Sequence, residues 1–223
     1  MAQFPAKPLA PKEFLEKFLP QAFADAPLPP GTEAVDVKLG VLLEGDGGGE
    51  WVVHLRNGKM NVSQGSRDEA AFTVVQSVAD WRGALWEGRG GAIGKQASAL
   101  FRPGEPAPAA RPGQMGGGSP SPAALDQMKT LNGVIRMVVS GGQGGDWKVD
   151  FKLGPGPIPA QPTTTITVMA EDAAAMERGE LDPMTAFMSG RMQVAGDMAL
   201  MMQMQMIQMQ AAAQAQSAKP SGT

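Results

Sequence analysis

Few residues in this chain can carry acid–base, nucleophilic or metal chemistry. The 223 residues include one histidine, His54, and no cysteine. Thiolate ligands, disulfides and a cysteine nucleophile are thereby excluded, as is any site built on two imidazoles. His54 lies in an alternating stretch, opposite to Trp51, Val53 and Leu55, where a solvated surface place is expected. Glu171 and Asp172 are adjacent carboxylates, but they open a helical stretch, where capping and the helix dipole account for them. The segments GDGGGE and GGQGGD lack the G-x-G-x-x-G spacing into a helix and any following Lys-Ser/Thr. They are turns, not phosphate cradles. A Ser-His-Asp or metal-assisted hydrolase lacks its parts. No catalytic residue, metal ligand or cofactor site is assigned.

What the chain holds in quantity is methionine. Of 16 methionines, 11 fall between Met169 and Met209. Thioether side chains are flexible and polarizable, and they line irregular apolar cavities that adapt to several ligands. A methionine stripe at helical spacing is as often plain core, so composition leaves both readings open. Residues 197–213 are rich in Met, Gln, Ala and Leu, all good helix formers. Met198, Met202, Met206 and Met209 form one stripe on that helix. Leu200, Met204, Ile207 and Ala211 form a second, nearly opposite. A helix apolar on two sides is expected to be sandwiched, the second stripe meeting the first half of the chain, a homodimer mate or a ligand.

The elements that must position these groups fall into two halves. Residues 103–122 contain 11 prolines and glycines in 20 positions and are expected to form an extended linker. Residues 217–223 read as a polar tail. At an offset of 96 residues, LGVLLEGDGGGEWVVHL (39–55) lies over IRMVVSGGQGGDWKVDF (135–151). Gly45, Gly48, Gly49, Trp51 and Val53 meet Gly141, Gly144, Gly145, Trp147 and Val149, which points to a duplicated hairpin. Strands are expected at 58–65, 70–75 and 163–170, and helices at 78–88 and 171–179, each closing on a glycine. An opening helix over 11–23 should kink or end at Pro20. Residues 121–133 should play the same part in the second half.

The order of features over 166–204 resembles the end of the sterol carrier protein 2 family. Glu171 and Asp172 open a helix that ends at Gly179, and Pro183 begins a turn. Ala186-Phe187-Met188-Ser189-Gly190 follows, then a strand from Arg191 to Ala195, then Gly196-Asp197-Met198 into the last helix. The upstream GGQGGDWKVDF matches the family's hairpin. The resemblance covers about 123–210. Residues 11–102 match only through the opening helix, the hairpin and Asp80-Trp81, and after Gly88 no counterpart of the final strand and helix is found.

The resemblance implies an α+β fold of two related sterol-carrier-like domains, a degenerate one over 1–102 and a lipid-binding one over 123–216. Each would have a mixed or mainly antiparallel sheet covered by helices on one face. It implies non-enzymatic binding or transfer of a sterol, hopanoid, fatty acid or acyl-CoA in a cavity of the C-terminal domain. The implied walls are Ile166 and Val168 on a strand, Met176 on a helix and Phe187 and Met188 at the turn. Met192 and Val194 would follow on the last strand, and Met198, Met202 and Met206 on the last helix. The rival readings are a structural module, or an accessory subunit of a lipid-modifying enzyme. A net charge of −3 and a pI near 5.3 give no footprint for nucleic acid and allow at most transient membrane contact. No secretory leader, spanning segment or peroxisomal address is read, so a cytoplasmic place is expected.

Overall fold

The computed structural model describes residues 3–27, 32–103 and 127–217. Most of the expected linker and the last six residues of the expected tail lie outside them. Phe14, Leu15 and Leu19 recur at helical spacing and are buried, forming a helix from α1 (Pro11–Glu13) through a π turn (Phe14–Phe18) into α2 (Leu19–Asp25). The helix does not stop at Pro20. Proline has no N–H for a carbonyl one turn back, and the wider π turn upstream, in which Leu19 donates to the Phe14 carbonyl, accommodates the ring.

The first half continues with β1 (Asp36–Glu44) and β2 (Gly49–Arg56) as an antiparallel hairpin. An Asn57-Gly58 turn with positive φ at both residues leads into β3 (Lys59–Gln64). β4 (Phe72–Ser77) then returns parallel to β1. Ser77 caps α3 (Val78–Trp86) by accepting from the Asp80 N–H, and α4 (Gly91–Ser98) follows. The second half repeats the plan. β5 (Gly133–Ser140) and β6 (Trp147–Leu153) pair antiparallel, and β7 (Thr164–Met169) runs parallel to β5. It leads into α5 (Ala170–Arg178) and α6 (Pro183–Met188). β8 (Met192–Gly196) pairs antiparallel with β7, and α7 (Met198–Ser217) closes the described chain.

All eight strands form one mixed sheet in the order β3-β2-β1-β4-β6-β5-β7-β8. This corrects the expectation of a separate sheet in each half. After α3 the first half supplies no strand to pair with the outer edge of β4. Between β6 and β7 the second half has Pro155, Pro157, Pro159 and Pro162, which cannot donate to a ladder, so β6 has no neighbour like β3. The two open edges meet instead: Phe72 pairs with Leu153 and Val75 with Asp150, antiparallel. β4 takes beside β6 the place that β3 has beside β2, and β6 takes beside β4 the place that β8 has beside β7.

Alternation along each strand sends Val41, Leu43, Trp51, Val53, Val74, Ile135, Val149 and Ile166 to one face, where the helices cover them. Lys38, Thr73, Arg136, Asp150 and Lys152 stand on the other face. The first core is aromatic, with Phe14 packed edge-on against Trp81 and Trp86. The second spans the junction, joining Val74, Ala84, Ile93 and Ala97 to the apolar residues of β5, β6, β7 and α5. Side chains add further ties. Phe72 stacks on Phe151 at 5.4 Å, Gln76 Nε2 donates to the Lys148 carbonyl, and Lys95 pairs with Glu177. Gly90, at φ +84°, lets the entry to α4 lie against Trp147, whose ring a Cβ would meet at 2.8 Å.

Candidate functional site

A pocket of about 170 Å³ opens on the helix-covered side of the second half. Its floor is the sheet. Met137 of β5 and Val194 of β8 both pair with Ile166 of β7, and Met192 pairs with Val168. Alternation puts Met137, Met192 and Val194 on the same side as Ile166 and Val168. One wall is α5, through Met176. A second is α4, through Ala92, Ile93 and Gln96. The mouth lies between Pro183, Met184 and Phe187 of α6 and Met198 and Met202 of α7, and buried Met201 completes the lining.

Local sequence fixes each of these elements. Asp182 caps α6 by accepting from the Met184 and Thr185 N–H groups, with Pro183 in the first turn, where its missing N–H costs nothing. Gly196, at φ +102°, bends the chain from β8 into α7, and a Cβ there would stand 2.3 Å from the Thr163 carbonyl. Asp197 then accepts from the Ala199 N–H at 2.7 Å, and its carbonyl accepts from Thr164 Oγ1 at 2.6 Å. α7 therefore leaves the sheet in a set direction. Its stripe of Leu200, Met204 and Ile207 packs on the core of the second half. Among the described residues nothing in the chain covers the opposite stripe, since Met198, Met202, Met206 and Met209 are exposed, so the first half of the chain does not sandwich the helix over the described side chains.

The structure gathers six of the expected residues at the pocket: Met176, Phe187, Met192, Val194, Met198 and Met202. Ile166 and Val168 are each 1% exposed and lie in the core between lining residues rather than on the wall. Met188 is 77% exposed and Met206 56%, both outside the lining. Sequence reasoning did not pick out Met137, Pro183, Met184 or Met201, nor the α4 residues. The signal for α4 was present, since Ile93, Ala97 and Phe101 recur at helical spacing after Gly91.

Electrostatically the lining is quiet. No Asp, Glu, Lys, Arg or His belongs to it. Charges nearby are paired: Asp172 with Arg191 at 3.1 Å, and Arg178 with Glu180 at 2.7 Å. The Arg178 pair holds the Glu180 carboxyl below its ordinary range. Glu171 and Asp172 both sit in the first turn of α5, where they complement the helix dipole as expected, but the residue at the cap is Met169, without a side-chain cap, and Asp172 forms an ion pair instead of capping. Among the described residues no group of His, Cys, Asp and Glu is arranged to hold a metal. Seven of the thirteen lining residues are methionines. The arrangement offers desolvation and soft, adaptable contact, without acid–base chemistry.

Residues 114–209 match the SCP-2 sterol transfer family. A hydroxysteroid dehydrogenase-like protein 2 of Xenopus tropicalis is 33% identical over 87 residues, which make up 37% of this chain and 21% of that protein. Sterol carrier protein 2 of Rattus norvegicus is 33% identical over 90 residues, 37% of this chain and 16% of that protein. The chain thus spans about a fifth or less of these relatives' length. The solution structure of the sterol carrier protein domain 2 of Helicoverpa armigera aligns with 25% identity over 40% of this chain and 75% of that one, at a TM-score of 0.29. Over residues 114–209 the chain carries a domain of the SCP-2 sterol transfer family.

Proposed function

We propose that this chain is a non-enzymatic carrier that holds one apolar lipid in the pocket beneath α6 and α7. The family domain gives the general class, a sterol or lipid carrier. The observation that supports the finer reading is the lining: apolar at every position but Gln96, more than half methionine, and open at a mouth of exposed methionines. Burial of apolar area yields about 25 cal/mol per Å², so a long acyl chain or a sterol ring system gains several kcal/mol net by leaving water. No bond need be made or broken.

Sites for drug-sized ligands run to roughly 300–1,000 Å³, and at about 170 Å³ this pocket is smaller than that. Admission of a sterol requires Met184, Met198 and Met202 to swing aside, which unbranched thioether side chains do at low energy. The cavity is not built by residues 123–216 alone, because α4 forms one wall. His54, the sole histidine, is hydrogen-bonded to Asp36 at 2.7 Å on the far part of the sheet. Saturable binding of a fluorescent sterol to the full chain, displaced by unlabelled sterol and recovered as a one-to-one complex in native mass spectrometry, tests the proposal. Failure of every sterol and acyl probe to bind would favour a structural module.

A further inference from the structure

The one polar residue of the lining is Gln96, on the α4 wall supplied by the first half. Its amide nitrogen, Nε2, is buried and has no hydrogen-bond partner. Its neighbours on α4 are occupied elsewhere: Lys95 pairs with Glu177, and Ser98 Oγ donates to the Lys95 carbonyl. A buried donor left unpaired is costly, whereas methionine, of similar length and helix propensity, would fill the site without that cost. Seven of the surrounding positions are methionine already. An amide persists at low energy there only if something satisfies it.

We propose that Gln96 recognises the polar end of the bound lipid, a single neutral oxygen such as a hydroxyl or an ester carbonyl on an otherwise apolar body. This rests on the lipid-carrier reading above and names its ligand class. The lipid enters with that oxygen toward α4, and the Gln96 side chain turns so that Nε2, which no solvent-sized group reaches in the structure, donates to it. A neutral oxygen fits better than an ionised carboxylate or a phosphate, because no cation lines the pocket to balance a buried negative charge. Selectivity arises as it does wherever a polar group is built into an apolar site: a ligand without the oxygen leaves the amide unpaired. The C-terminal half thus supplies most of the apolar envelope, and the N-terminal half supplies the contact that selects.

The test uses the full chain and two ligands of one length, 1-dodecanol and dodecane, each displacing the neutral fluorescent probe N-phenyl-1-naphthylamine. Wild-type protein should prefer the alcohol by about tenfold. Gln96→Met should bring the two within about twofold of each other, with dodecane binding retained and a ligand-free melting temperature equal or higher. An unchanged preference in Gln96→Met overturns the role of Gln96 and leaves the carrier reading standing. A lower melting temperature, or a variant that does not fold, shows the amide to have a structural partner and likewise overturns it. Absence of binding by the probe and both ligands to wild-type protein overturns the carrier reading itself, and the Gln96 role with it.

Discussion

The indole N–H of Trp147 donates to the main-chain carbonyl of Asp80 at 2.8 Å, across the junction between the two halves. Trp51 holds the matching place in the first hairpin but donates within its own half, to the Glu16 carboxylate at 3.0 Å. The matching tryptophan of each hairpin thus closes a core on one side and clasps the halves on the other. Trp147→Phe removes the indole donor and leaves part of a buried ring site unfilled. The expected outcome is a loss of about 1–2 kcal/mol in denaturant titration, with faster amide exchange in β4 and β6 than in β2.

Lys152 is 1% exposed beside that junction, and its three ammonium protons are shared among Asn132 Oδ1 and the carbonyls of Leu153, Gly154 and Pro155. Lys152→Met leaves these acceptors unpaired and should cost ~2–4 kcal/mol. Burial, and then the nearby Arg67, hold the amine below its ordinary value of 10.5. Just below that value the unfolded amine keeps its proton while the folded one has begun to lose it, so this group makes stability rise with pH there. The chain has no tyrosine or cysteine to mask the effect. Urea unfolding from pH 8.5 to 10.5 should show the rise in wild type and a flatter profile in Lys152→Met.

Met184 and Met188 are neighbours on α6, but only Met184 touches the pocket. Met184→Trp should obstruct the mouth and weaken sterol binding by about tenfold or more, with little effect on stability because the side chain is 53% exposed. Met188→Trp, on the outer side, should leave affinity within about twofold. Equilibrium titration of both variants with one fluorescent sterol separates them.

Mild peroxide converts thioethers to sulfoxides, replacing apolar contact with a polar group. Peptide mapping during such treatment should find Met184, Met198 and Met202 modified before the buried floor and wall residues Met176, Met192 and Met201. Bound lipid should slow modification of the first set and leave Met209, 71% exposed and away from the pocket, unaffected. Affinity should fall as the mouth is oxidised and return on treatment with methionine sulfoxide reductases.

The hairpins, the helix entries and the apolar face of the sheet were legible because alternation and turn chemistry are local. Trp51 and Trp147 are matched by sequence, yet Trp51 lies opposite Val41 while Trp147 lies opposite Val139, two residues beyond the place an ungapped match assigns. A slip of two keeps every side chain on its own face, so the pattern cannot reveal it. The fused sheet was hidden for a similar reason: edge pairing of β4 with β6 uses main-chain groups, which leave no trace in side-chain types. Half of the pocket was visible in the methionine-rich segment. The α4 wall was not, because Ala92, Ile93 and Gln96 acquire their place only when distant strands join.

The shared sheet also sets an order of events during synthesis. β4 emerges with one flank bare, and the strand that covers it ends roughly 76 residues later, at Leu153. At about 5–20 residues per second, that flank waits on the order of 4–15 s on the translating ribosome. A nascent strand in that condition is a template for the same strand on a neighbouring ribosome, and slowed elongation between the halves would lengthen the exposure. Yield of folded protein should therefore depend on translation speed through the connecting segment.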